Sequence, residues 1–340
     1  MKANISLNRI TKLLVSGLGI AGLLLSSNVS AADARLGHVF TDQHPRGLAM
    51  QRFAAEVEKG TGGKIVVKLF GSSSLGAEDK MLQAVQSGVQ EFYLGSLAPI
   101  SSRKRELQVF DFPFLFTNDR EAAQVLDGKV GKKMLEDMGD TGALGLVWSG
   151  GAFRNVSNSK HAINKFEDLK GLKIRVMQTP VAIDSFKAMG TNPTPMAFSE
   201  VYTALEIKAI DGFENPAVDM YQNKIFEVQK YLAITNHVYT PIALMVSKKW
   251  FSGLPADQQA AIKKAAEIAR DFERAEEIRQ AKGAVNLLKE SGMVVTELPA
   301  PELEKIRVAV RPVIDKYSAS IGAEFVKSFF AEIDAARKTK

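Results

Sequence analysis

Between Gly171 and Asn215 the apolar and polar positions change period repeatedly, and each change marks an element. Lys173–Met177 alternates with period two, so Ile174 and Val176 face one side and Arg175 the other. Thr179 is placed to cap a helix that opens on Pro180 and stops at Gly190. A short extended piece, Pro193–Met196, comes next, and Ser199 is set to cap a further helix with Glu200 in its first turn. Ala209–Phe213 reads as a strand and Glu214-Asn215-Pro216 as the turn beyond it. A strand–helix–strand–helix–strand run is the unit of a parallel sheet, and such sheets bind ligands at the carboxyl ends of their strands. Arg175 and Asn215 both stand where a strand ends, so a guanidinium and a carboxamide are available to grip one carboxylate from two sides.

The same reading extends along the chain. Leu36–Phe40, Ile65–Phe70 and Phe92–Leu94 read as strands, separated by helices at Pro45–Lys59 and Asp79–Ser87. Strands alternating with helices predict a parallel α/β sheet. Phe110–Phe116 holds four phenylalanines and predicts a core plug. Helices at Arg120–Leu126 and Lys132–Met138 lead to a strand at Ala143–Trp148. Ser149-Gly150-Gly151-Ala152 is small and flexible, the expected crossing into a second domain that begins with Phe153–Ser157. Tyr231–Ser247 is too long for an ordinary strand, and predicts one that returns to the first domain, bending near Thr240-Pro241. From Pro255 to Ser291 the apolar residues recur at helical spacing, with Gly283 as a possible bend. A helix of that length is about 55 Å long, more than one small domain holds, so it is expected to run across both. Helices at Glu302–Tyr317 and Ala323–Ala336 close the chain. The expected division is 33–151 plus 241–280 for domain I, 152–240 plus 281–333 for domain II, and 334–340 as a loose tail.

Residues 1–32 stand apart. Lys2, Arg9 and Lys12 precede an apolar run, Leu13–Leu25, and a small-residue site follows, which is the pattern of a secretory signal peptide cleaved near Ala31 or Ala32. The GxGxxG match at Gly17–Gly22 lies inside that run and follows no strand, so it carries no nucleotide. Removing the three cations takes the formal charge from +6 to +3, too mild to suggest nucleic acid. There is no cysteine, hence neither a disulfide nor a thiol for a lipid anchor, and an unanchored monomer in the periplasm is expected.

FRNVSNSK (153–160), EDLKGLKIRV (167–176), NPTPMAFSEVYTAL (192–205), IDGFENP (210–216) and FEVQKYLAITNH (226–237) run in order and resemble the DctP-type periplasmic solute-binding proteins of the TRAP transporters. The resemblance implies a two-domain periplasmic-binding-protein fold, α/β and type II-like, with crossover strands and one long helix spanning both domains. It implies a small organic acid as ligand, a sodium-coupled partner with small and large membrane subunits, and no cofactor or metal. In the family the arginine matching Arg175 forms the salt bridge to the substrate carboxylate, and the asparagine matching Asn215 donates to the same group. A guanidinium meets a carboxylate through two parallel bonds, which lysine cannot reproduce. Arg154 matches a second arginine of the cleft, Phe198 an aromatic lying against the ligand, and Gln178 a polar contact. Glu78 matches an acidic position of relatives that bind polyhydroxylated acids. Ser96 and Trp148 stand near strand ends and are placed to line the cleft.

A carboxylate only accepts hydrogen bonds, so Glu78 suits hydroxyls and repels a second carboxylate. The expected ligand is therefore a sugar acid such as a uronate, aldonate or keto-sugar acid, with a C4-dicarboxylate or sialic acid as the alternative. A periplasmic enzyme acting on acidic sugars is the reading from another class. It needs a general base near the arginines, and none presents itself. His38, His44, His161 and His237 have no metal-ligand spacing, and there is no HExxH, P-loop or GxSxG.

Overall fold

The computed structural model describes residues 32–338. The signal-peptide pattern and its cleavage site up to Ala31 lie outside the described residues, as do Thr339 and Lys340. Among the described residues nine strands form a single sheet: β1 (Ala32–His38), β2 (Ile65–Phe70), β3 (Phe92–Gly95), β4 (Ala143–Asn158), β5 (Lys173–Val176), β6 (Asn192–Pro195), β7 (Gly212–Asn215), β8 (Tyr231–Ser247) and β9 (Val294–Glu297). Their order is β2-β1-β3-β8-β4-β7-β5-β6, with β9 on the early part of β8.

β1 pairs in parallel with β2 and β3, and β5 in parallel with β6 and β7. The two long strands between these groups break the parallel pattern, because β8 is antiparallel to β3 and β4, and β4 is antiparallel to β7. The sheet is mixed, where alternation alone suggested a parallel one. Each group has its own apolar packing. A large core centred on Leu36, Phe53, Phe92, Phe110 and Trp148 serves the first group, and smaller clusters around Ile174 and Phe213 serve the second. β4 and β8 belong to both. Gly151 pairs with Pro241 and Ala152 with Thr240 at the middle of this shared ribbon.

The helices are α1 (Pro45–Gly60), α2 (Glu78–Ser87), α3 (Ala98–Ser101), α4 (Asp119–Asp127), α5 (Lys129–Asp137), α6 (Pro180–Ala188), α7 (Val201–Glu206), α8 (Ala217–Gln222), α9 (Lys248–Ser252), α10 (Ala256–Glu290), α11 (Ala300–Ile321) and α12 (Ala323–Lys338). α10 runs 35 residues without a break through Gly283, about 52 Å at 1.5 Å per residue. Among the described residues no helix is long and apolar enough to cross a membrane.

Several local expectations are corrected. Ser149–Ala152 is not a loop but the middle of β4, since small residues there let Glu273 and Tyr239 pack directly on the backbone. Glu214 and Asn215 belong to β7 rather than to a turn. Ser199 caps nothing; Ala197 precedes a short 3-10 turn that runs into α7. α12 continues to Lys338, and Arg337 is no loose tail, because its guanidinium binds Glu121 and the Leu115 carbonyl.

Candidate functional site

Arg175 is the residue from which the site is built. Its strand, β5, buries Ile174 and Val176 in the apolar layer behind, and the opposite direction carries the guanidinium into a small cavity of about 50 Å³. The arginine is only 4% exposed. Its Nε and Nη2 donate to the Met196 carbonyl at 3.0 and 2.7 Å, which fixes the plane of the group. Burial pulls its pKa down to about 10, Glu214 opposing and Arg154 adding to the effect. It still carries its charge at neutral pH, and among the described residues it is in no ion pair. A buried, oriented, unpaired cation is costly unless an anion is to be held there.

Asn215 ends β7 beside it and lines the same cavity. Its carboxamide makes no hydrogen bond to the protein among the described residues, so it is free to donate.

Arg154 also lines this cavity but is already engaged. It stands at an irregularity in the β4–β8 pairing, where the register skips between Arg154 and Val156. Asn236 takes a left-handed φ of 43° there, and the Asn155 carboxamide accepts from the freed N–H groups of Thr235 and Asn236 at 3.0 and 3.1 Å. The kink turns Arg154 onto Glu214: Nε binds the carboxylate, and Nη2 donates to its Oε1 at 2.8 Å and to the Glu214 carbonyl at 2.6 Å. His237 Nε2 lies 3.4 Å from the same carboxylate, and Thr235 Oγ1 lies 2.8 Å from its Nδ1. Burial alone would raise the Glu214 pKa, but Arg154 and His237 outweigh it and hold the group at about 2. Arg154 is thus a cavity wall with its charge matched from behind, while Arg175 is not matched.

The opposite wall comes from α2 and β3. Glu78, the first residue of α2, accepts from the Tyr93 hydroxyl at 2.8 Å, the Ser96 N–H at 3.0 Å and the Ser96 hydroxyl at 3.1 Å. Both Glu78 and Ser96 line the cavity, and Phe198 supplies an apolar face. Six of the eight residues read from sequence therefore meet at one place.

Two do not. Trp148 is 1% exposed inside the large core, its indole N–H donating to the Gly131 carbonyl at 3.0 Å and its ring against Phe110. Strand alternation turns it toward α5 rather than the cavity. Gln178 is exposed, because β5 ends at Val176 and the period-two face of Arg175 continues through Met177, which takes the wall position.

Sequence reading missed a further group on the same wall: Arg46, Asp219 and Thr240. A cation at the start of α1 opposes the helix dipole, and that was the available signal for Arg46. Asp219, in the first turn of α8, looks like an ordinary helix-start acid. A larger cavity of about 430 Å³ lies on α10 near Glu273, Glu277 and Arg274. Of its two arginines Arg274 is bound to Asp127 and Arg120 is exposed, so it holds no buried, unpaired cation like Arg175. Among the described residues no group of three or more His, Asp or Glu is arranged to hold a metal ion.

The model of the bacterial extracellular solute-binding proteins, family 7 (DctP), matches residues 36–320. The chain resembles the crystal structure of the sugar acid binding protein DctPAm from Advenella mimigardefordensis strain DPN7T in complex with galactonate, with a TM-score of 0.87 and 40% identity over 90% of this chain and 99% of that one. It is 33% identical over 284 residues to the 2,3-diketo-L-gulonate-binding periplasmic protein YiaO of Escherichia coli (strain K12), covering 83% of this chain and 87% of that protein. It is 31% identical over 294 residues to the C4-dicarboxylate-binding periplasmic protein DctP of Rhodobacter capsulatus, covering 86% and 88%.

Proposed function

Because this chain belongs to the bacterial extracellular solute-binding proteins of family 7, the DctP family, we propose that it captures a sugar acid in the periplasm and delivers it to a sodium-coupled TRAP membrane complex. The family is one of transport rather than catalysis, and its members bind small organic acids and work with TRAP membrane subunits. The observation that carries the reading is Arg175, a buried guanidinium with a fixed plane and no ion-pair partner among the described residues.

Arg175 and Asn215 take the ligand carboxylate in this reading, and Phe198 lies against the carbon chain. Glu78, locked by three donors, accepts a ligand hydroxyl. A C4-dicarboxylate needs a second free cation, and Arg154 is committed to Glu214. Relatives whose names declare galactonate and diketogulonate as ligands support a hydroxylated acid. Cleavage near Ala31 or Ala32 releases the mature chain, a monomer in this proposal, at the first residue of β1.

Calorimetry against galactonate, gluconate, glucuronate, galacturonate, succinate and malate tests the class. At least one sugar acid is expected to bind tightly while both dicarboxylates bind weakly. Tight binding of succinate or malate with no response to any sugar acid would overturn the proposal.

A further inference from the structure

We propose that Asp219 is a specificity-determining residue of this site, a fixed carboxylate that accepts a hydroxyl of the acid whose carboxylate Arg175 holds; the inference rests on the sugar-acid reading above. Asp219 lies four residues beyond Asn215 and lines the same cavity as Arg175, Asn215 and Glu78. It is 4% exposed. Burial would raise its pKa, but Arg46 and His44 outweigh that and hold it well below the usual carboxylate range. Asp219 is therefore ionised, and an ionised carboxylate is an acceptor only.

Arg46 and His44 set its position. Arg46 Nη1 reaches both carboxylate oxygens at 3.3 Å. Arg46 itself cannot move away, since Glu273 and Glu277 of α10 lie 3.5 and 3.6 Å from its Nε and Nη2, and the Phe40 ring covers it at 4.9 Å. His44 accepts the Arg46 N–H on Nδ1 at 3.1 Å, which leaves the proton on Nε2, 3.6 Å from Asp219 Oδ1. These contacts are long, and a carboxylate has about four lone-pair sites, so accepting capacity remains.

The same cavity holds a second polar group without a protein partner. Thr240 Oγ1 is buried on the wall and makes no hydrogen bond. A ligand hydroxyl can donate to a carboxylate and accept from such a group at once. Asp219 and Glu78 are two carboxylates facing one cavity, which match donors on the ligand and disfavour a second carboxylate. Asp219 therefore favours hydroxylated acids over dicarboxylates and over acids stripped of one particular hydroxyl.

The test compares wild type with Asp219→Asn by calorimetry, using galactonate and its monodeoxy derivatives. The variant is expected to bind galactonate about tenfold or more weakly, the scale of one hydrogen bond to a charged group. One monodeoxy derivative should bind wild type and variant within about twofold, because the hydroxyl that Asp219 reads is already gone. Asp219→Glu keeps the charge that pairs with Arg46 and moves the acceptor by one methylene; it should lose the contribution of the same hydroxyl. Equal weakening of galactonate and every derivative would show a merely structural role and overturn the inference, as would unchanged galactonate binding. A wild type that binds no sugar acid overturns the sugar-acid reading and this inference with it. A wild type that binds galactonate, with uniform losses in the variant, overturns this inference alone.

Discussion

Burying a guanidinium without a counter-charge costs several kcal/mol, and Arg175 recovers only part of it from the Met196 carbonyl. The fold therefore holds a cation whose solvation is completed by an anion from outside. Arg175→Lys keeps the charge and loses the fork, so ligand affinity should fall at least about tenfold while the fold survives, on the scale of about 1.5–3 kcal/mol for a hydrogen bond to a charged group. Calorimetry with the cognate acid checks this, and unchanged affinity would remove Arg175 from the site. The residue was legible because period two sets it opposite Ile174 and Val176, and because its motif resembles a known one. What Arg154 does was not legible, since its partner Glu214 lies 60 residues away and meets it only through the β4–β7 pairing. Trp148 and Gln178 stand apart from the cavity for a local reason: nearness to a strand end does not say which face a side chain takes.

At the scale of elements, α10 was readable in extent but not in its buried face. The apolar pattern gave Ile262, Ala265, Ala266 and Ala269, which are buried, but also Phe272 and Ile278, which are exposed. The buried stripe passes instead through Glu273 and Glu277, carboxylates that an apolar template excludes. Likewise β4 was read as two pieces, because its central glycines look like a link until β8 pairs along them. Burial raises Glu273 and Glu277 from 4.5 to about 7, with Arg46 opposing. Below pH 4.5 both are protonated, folded or unfolded, and their full stability is present. As pH rises from there to about 7 the unfolded chain releases protons the fold retains, and stability is lost through that window. Glu214 has the opposite sign, its contribution disappearing as pH falls from about 4.5 toward 2. Glu277→Gln fixes a neutral side chain at one of the two sites. Its melting temperature should match wild type near pH 4.5 and exceed it by a few degrees at pH 8, at about 2–4 °C per kcal/mol. Thermal unfolding at both values checks the sign; a difference independent of pH would place the raised group elsewhere.

For the whole molecule, one sheet serves two apolar packing groups, and β4 and β8 are the strands common to both. We propose that the chain works as two lobes, 33–151 with 241–280 and 152–240 with 281–321, and that ligand draws them together by bending β4 and β8 near the Gly151–Pro241 and Ala152–Thr240 pairs. α12 goes with the first lobe rather than with the second as its place in the chain suggested, because Val326, Phe329 and Ile333 pack in the first core. The site has the composition such closure needs. Glu78 and Ser96 come from the first lobe, and Arg175, Asn215 and Asp219 from the second, so one acid is gripped fully only when both sides meet it. Ligand binding energy held across the cleft then favours the closed form by the difference in contacts between the two forms. Small-angle scattering with and without a saturating sugar acid measures the outcome. The radius of gyration should fall on binding, and in Arg175→Lys it should stay at the ligand-free value at the same ligand concentration. Identical radii for wild type with and without ligand, at a concentration where calorimetry shows saturation, would mean that the site fills without closure and that the shared strands do not act as a hinge.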